Sequence, residues 1–246
     1  MLAACFSLST QTALSGPPFL TDDPEPVEYR HWEFYVASQH VKTVDGWSGT
    51  APHFEVNYGA ISNLQLHLIA PLAYDAPSPG GRHYGYGDTE LGAKYRFIQE
   101  TSNFPQVGVF PLLEIPTGNA HHNLGSGHAQ AFLPVWLQKS WGEEDHEWTV
   151  YGGGGYHINP GAGNHDWGSF GAVVQRQVRK NVLVGGELSH STVMEAGGRA
   201  DTAFNLGTVI DFSDRHHLLF SAGRSIDGPT EFQTYVAYQL TFGLEP

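Results

Sequence analysis

The chain has 246 residues, 15% of them charged, and a formal net charge of −13. An acidic balance with no basic patch excludes nucleic acid as a partner. One cysteine, Cys5, excludes an intrachain disulfide framework, and the lack of any apolar run near ~20 residues excludes a helical membrane protein.

The chain opens with an apolar, Ser/Thr-rich stretch from Ala3 to Leu14 that resembles the later part of a secretory signal, yet no Lys or Arg precedes Arg30. Residues 1–15 are therefore expected to be a signal-peptide remnant, with the true start upstream and cleavage close to Ser15. Leu2-Ala3-Ala4-Cys5 also matches the form of a lipoprotein box, so Cys5 is either lipidated or discarded with the signal. Residues 16–29 are proline-rich and acidic. Proline removes ladder donors, so this segment is an extended lead-in, either periplasmic or tucked into the mouth of a barrel.

From Trp32 to Phe242 one pattern recurs: a run of alternating apolar and polar residues, then a turn. Phe54, Val56, Tyr58 and Ala60 share one face and His53, Glu55, Asn57 and Gly59 the other. Phe204, Leu206, Thr208, Ile210 and Phe212 repeat the arrangement against Ala203, Asn205, Gly207, Val209 and Asp211. A period of two means a strand between two environments, and about ten such residues, tilted, cross a bilayer. The pattern predicts strands over 30–41, 51–61, 64–74, 87–99, 105–116, 128–141, 147–158, 167–178, 182–192, 201–212, 216–225 and 231–243. The fold class is all-β: a transmembrane antiparallel up-and-down barrel of about 12 strands over residues 30–243, apolar outside and polar inside. The connections agree. Those at 42–50, 75–86, 117–127, 159–166 and 193–200 are long, and those at 62–63, 100–104, 142–146, 179–181 and 213–215 are short, as extracellular loops and periplasmic turns are. Pro71, Pro111 and Pro134 fall inside predicted strands, where they mark bulges, kinks or shorter strands. Gly152 to Gly155 weakens the seventh strand or permits a close approach there.

With the apolar set on lipid, the residues left to line the lumen are Glu33, Glu55, Asp88, Glu90, Lys94, Arg96, Glu114, Glu187 and Asp211, together with amides such as Gln65, Gln138, Asn205 and Gln239. Charges in lipid cost several kcal/mol each, so these must face inward. Two readings stand for a barrel of this width: a charge-lined path for solute, or a structural network that fills the interior. Lys94 and Arg96 are expected to offset Asp88 and Glu90 on their own strand, leaving the other acids to favour cations. Arginine is expected to be better tolerated at Gln65 or Asn205 than at the lipid-facing Leu66 or Leu206.

Trp32, Tyr58, Tyr95, Trp141, Trp148, Trp167, Tyr238 and Phe242 fall near strand ends, where interfacial girdles would put them, although strands are rich in aromatics anyway. His83, His121, His122, His128 and His165 lie in loops without a spaced set of further ligands, so no metal and no cofactor is expected. Ser189-His190-Ser191, with Glu195 beyond, is the nearest approach to a hydrolase motif. Adjacent strand residues point to opposite faces, so His190 cannot pair with its neighbours and no enzyme is expected.

Four segments carry a family resemblance: GPPFLTDDPEPVEYRHWE (16–33), GDTELGAKYR (87–96), LEIPTG (113–118) and YVAYQLTF (235–242). Through them the chain resembles a bacterial outer-membrane family named for the meta-cleavage pathway of phenol degradation and labelled transporter-like. The resemblance covers most of residues 16–242. It implies an outer-membrane barrel passing small hydrophobic or aromatic compounds, with no catalytic residues to carry over. Such barrels usually end on the aromatic residue of the last strand, whereas here Gly243-Leu244-Glu245-Pro246 comes after Phe242. The expected function is a passive channel or facilitator for small molecules in the bacterial outer membrane. Its partners are outer-membrane lipids and a small-molecule solute, and the oligomeric state is open. The alternatives are a non-conducting barrel that binds a ligand or partner through its loops and, further off, a lipid-modifying enzyme.

Overall fold

The computed structural model of the chain describes residues 18–143 and 146–243. The expected leader with Cys5, and the tail after Gly243, lie outside the described residues. The strands are β1 (His31–Thr43), β2 (Gly46–Ile61), β3 (Leu64–Pro77), β4 (His83–Tyr86), β5 (Thr89–Ile98), β6 (Gln106–Val109) and β7 (Leu112–Ile115). They continue with β8 (Gln130–Trp141), β9 (Trp148–Ile158), β10 (Trp167–Arg179), β11 (Val182–Ser191), β12 (Asp201–Ser213), β13 (His216–Asp227) and β14 (Phe232–Gly243). β4 and β5 both pair with β3, and β6 and β7 both lie between β5 and β8, so each couple makes one stave of a twelve-strand antiparallel barrel. The barrel closes where β14 returns to β1, from His31 opposite Gly243 to Lys42 opposite Phe232. Closure leaves no long sheet edge in the wall, the condition for putting strands in lipid.

The period of two becomes two surfaces. Leu66, Leu133, Phe170, Leu188 and Leu206 stand on the outside, between 49% and 64% exposed. Their sequence neighbours Gln65, Glu187 and Asn205 are buried within. The interior also holds an apolar patch, Tyr35, Ala37, Val209, Leu219 and Ala237, which packs across the β1, β12, β13 and β14 wall. At one rim Trp32 stacks against Tyr58 and Phe242, and Arg176 lies over Trp148, contacts suited to a membrane interface because each joins an apolar body to a polar tip.

The prolines are accommodated as interruptions. Pro111 sits in the gap between β6 and β7, and β2 slips register against β3 between Thr50 and His53, with Pro52 in the slip and Pro71 opposite His53. Pro134 stays within β8, opposite Gly155. The expected long first loop is a correction: β1 and β2 run on to a tight hairpin at residues 44–45, because the alternation continues through Lys42 and Trp47. The longest connections, 116–129, 159–166 and 192–200, still gather at one rim, while 62–63, 180–181 and 214–215 turn tightly at the other. That asymmetry orients the barrel. A cysteine at His121 or Ser78 should be labelled on intact cells by a membrane-impermeant thiol reagent, and one at Asn63 should not. Labelling of Asn63 alone would invert the barrel.

Candidate functional site

The segment before β1 lies inside the barrel. With two acids followed by alternating prolines it cannot join a ladder, but its amides and carboxylates can be met by an inward-facing polar wall. Tyr29 bridges to Gly59 near the tight-turn rim. From there the chain climbs inward, with Val27, Pro24, Asp23, Thr21 and Pro18 all buried. Residues 18–29 thus form a plug, and what holds them is largely the set of wall residues that the alternation turned inward.

Three clamps fix the plug. At its tip the Glu187 carboxylate accepts the amides of Thr21 at 2.6 Å and Leu20 at 3.2 Å, and Asn205 Nδ2 steadies it at 2.6 Å. At mid-length Lys94 Nζ, 2% exposed, reaches Asp22 at 2.9 Å and Asp23 at 3.5 Å while sitting 5.1 Å over the Phe110 ring. Lower down Glu25 accepts from Gln138 at 3.1 Å and Gln106 at 3.2 Å, and Arg96 approaches it at 3.5 Å. Gln65 Oε1 accepts the Val27 amide at 2.9 Å, and the Ser221 hydroxyl donates to the Pro18 carbonyl. Charge-assisted bonds are the strong ones, and removing one partner of a buried pair such as Lys94 with Asp23 costs about 3–5 kcal/mol. The backbones also approach closely: a Cβ at Gly171 would lie 1.8 Å from Thr21 Oγ1, so β10 needs glycine there for the plug to seat.

These contacts correct one expectation. Lys94 and Arg96 serve the plug and not Asp88 and Glu90, because Asp22, Asp23 and Glu25 reach them across the lumen. Asp88 accepts instead from the Gly118 amide at 2.8 Å and from Ser126 N and Oγ at 2.6 and 2.8 Å, tying down the 116–129 connection. Glu90 lies 3.0 Å from His67 Nε2, whose Nδ1 is 2.7 Å from Asn57 Oδ1 and 3.6 Å from Glu55. Glu114 stands opposite Glu90 in the ladder. Glu33, 1% exposed, accepts the Tyr35 hydroxyl at 2.7 Å, and Asp211 lies 2.7 Å from His217 Nδ1. The residues that sequence reasoning missed are the plug acids. Their one signal was an acidic run in a segment unable to pair as a strand, in a chain whose fifth strand carries two bases on one face.

The second feature of the lumen is an aromatic wall. Phe132 stacks on His157 at 3.9 Å, and His157 on Trp167 at 3.5 Å, nearly parallel across β8, β9 and β10. Trp136 meets Phe132 edge-on at 6.2 Å. The Gly152–Gly155 run lies in β9 and gives these rings bare backbone to rest on: a Cβ at Gly155 would strike the Phe132 ring, and one at Gly153 the Trp136 ring. Trp136 Nε1 and Tyr151 OH are buried on this wall without a hydrogen-bond partner.

Asp23 is the plug group whose charge is least comfortable. Burial pushes its carboxyl up to about 7, with Lys94 pulling it down and Asp22 and Glu25 pushing it further up. A folded value above the unfolded one favours the seated plug below the unfolded value, and that share is lost as pH rises through about 7. The plug should therefore leak more at pH 8 than at pH 5 in bilayer conductance, and Asp23→Asn should flatten that dependence. An unchanged pH profile in the variant would remove Asp23 as the cause.

His190 is on the outer face and meets Thr202 Oγ1 at 2.8 Å, and no hydrogen bond joins it to Ser189, Ser191 or Glu195 among the described residues. No metal-ligating group of three or more His, Cys, Asp or Glu side chains occurs among the described residues.

Comparison with family models and with curated proteins finds no match. Among solved structures, the barrel is similar to an outer-membrane channel from Pseudomonas putida F1, with a TM-score of 0.71 and 19% identity over 89% of this chain and 98% of that one. It is also similar to the NanC porin, at a TM-score of 0.55 and 7% identity over 86% of this chain and 100% of that one. The KdgM porin in complex with disordered oligogalacturonate matches at 0.54 and 9% over 86% and 99%. At these identities the shared property is the fold. A closed barrel of this fold with an apolar outer wall resides in the bacterial outer membrane.

Proposed function

We propose that the chain is a facilitator for small molecules whose passage is restricted by its own N-terminal plug, with hydrophobic or aromatic compounds as cargo. The observation that carries this reading is the plug itself. A segment clamped by Glu187, Lys94 and Glu25 across a polar interior narrows the route for general diffusion. The aromatic wall supports the choice of cargo, because rings stack on rings. The resemblance of the N-terminal and Gly-Asp-Thr-Glu segments to the transporter-like family points the same way, as does the shared architecture with a channel and two porins. The plug also favours a second reading, a non-conducting barrel that holds a ligand. Uptake by intact cells separates the two. Cells carrying the protein should take up a neutral phenolic solute severalfold faster than cells lacking it and show no gain for arabinose, and Trp136→Phe should reduce the phenolic gain. A gain for arabinose alone would make this a general porin, and no gain for either solute would favour the ligand-binding barrel.

A further inference from the structure

β4 pairs with β3 along one edge and with no strand along the other among the described residues. Beside that free edge, between it and the 116–129 connection, lies an open groove of about 570 Å³ lined by Tyr84, Tyr86, Asn119, His121, His122 and backbone around them. The groove belongs to neither the plug nor the aromatic wall. Tyr84 and Tyr86 are 59% and 46% exposed, on the same face as the lipid-facing Leu72 and Tyr74 that they oppose.

Its depth is set by strand geometry. Leu66 on β3 is level with Tyr58 and the Trp32 girdle at the tight-turn rim. From Leu66 up to Tyr74 and its partner Tyr84, a strand rising ~3.3 Å per residue and tilted about 40° gains roughly 20 Å. An outer-membrane apolar band is about 25 Å tall, so the groove lies in the top of that band just beneath the outer headgroups, where exposed tyrosines settle.

The residues beside the groove include one cation, Arg82, and three imidazoles, His83, His121 and His122. Arg82 is exposed and has no ion-pair partner among the described residues. His83 and His122 stack at 4.3 Å. The acids nearby are Asp75, bonded by Asn123 at 3.3 Å, Asp88, which accepts from Gly118 and Ser126, and Asp45, whose carbonyl accepts the Ser78 amide.

We infer that this groove holds the phosphorylated sugar headgroup of an outer-leaflet glycolipid. Sugar rings lie against the Tyr84 and Tyr86 faces, and the free edge of β4 offers backbone groups to hydroxyls. The Arg82 guanidinium and the His122 imidazole meet phosphate, the Arg in bidentate geometry. The lipid's acyl chains then run down the outer wall past Leu72 and Leu68.

The test uses the refolded full chain in detergent micelles, with native mass spectrometry reading retention of added bisphosphorylated lipid A, dephosphorylated lipid A or phosphatidylglycerol. Wild type should retain bisphosphorylated lipid A about tenfold more tightly than either other lipid. The double substitution Arg82→Gln with His122→Gln should erase that preference, and Tyr84→Ala should weaken lipid A binding of both kinds. Arg199→Gln, on a distant outer loop, should change nothing. Heat-modifiable gel mobility reports that each variant is a folded barrel, and Arg82→Gln alone serves if the double variant is not. Equal retention of all three lipids by wild type would overturn the assignment, as would a preference that survives Arg82→Gln and His122→Gln.

Discussion

Deleting residues 18–28 should convert the plugged barrel into a wide pore, raising single-channel conductance in planar bilayers on the order of tenfold or more for a barrel of twelve strands. The deletion removes Asp22, Asp23, Glu25 and Glu28 together with the backbone that Glu187 clamps. Glu33, Glu55, Glu90, Glu114 and Glu187 then face Lys94 and Arg96 across water, and the opened pore should prefer cations. Substitution of one clamp gives a graded form of the same result. Lys94→Met leaves Asp22 and Asp23 beside an apolar side chain, a loss of about 3–5 kcal/mol for the buried pair that loosens the plug in its seat. Flickering openings are expected from Lys94→Met and steady ones from the deletion. Conductance unchanged in both would mean that solute never passes where the plug sits.

The second large effect separates the two faces of one strand. Leu206, 64% exposed on the outer wall of β12, should not tolerate arginine: near the midplane the cost is about 2–4 kcal/mol, read as loss of heat-modifiable barrel after refolding into vesicles. Asn205 is the adjacent residue, 3% exposed, bonded to Glu187 and to Gln233 at 2.9 Å. Arginine there no longer meets the water-filled lumen that the alternation alone suggested. It enters a packed interior, breaks the Glu187 clamp and displaces the plug tip. Asn205→Arg should therefore insert normally but leak, and the same argument applies to Gln65, which holds the Val27 amide. Identical insertion failure from Leu206→Arg and Asn205→Arg would show that the plug seat is required for the barrel to form.

The class of fold and the two-residue alternation of its strands can be read from the chain alone, although Trp167, expected in an interfacial girdle, stacks on His157 inside the barrel. The alternation of Phe204, Leu206 and Thr208 against Asn205, Gly207 and Val209 is a property of neighbouring residues on a pleat, so it survives without knowledge of what each face meets. The inward turn of Glu33, Lys94, Glu187 and Asp211 comes from that same local geometry. Their partners do not. Lys94 meets Asp22 and Asp23 across the lumen, and Glu187 meets the Thr21 amide from the far wall. Such contacts exist only once β14 has closed on β1 and enclosed a volume for residues 18–29 to fill. The tight β1–β2 hairpin and the free edge of β4 belong to the same category, because pairing register and the course of the 116–129 connection are set by neighbours distant in the chain. A period of two is written residue by residue, whereas the contents of the lumen and the gap at its rim are properties of the closed barrel.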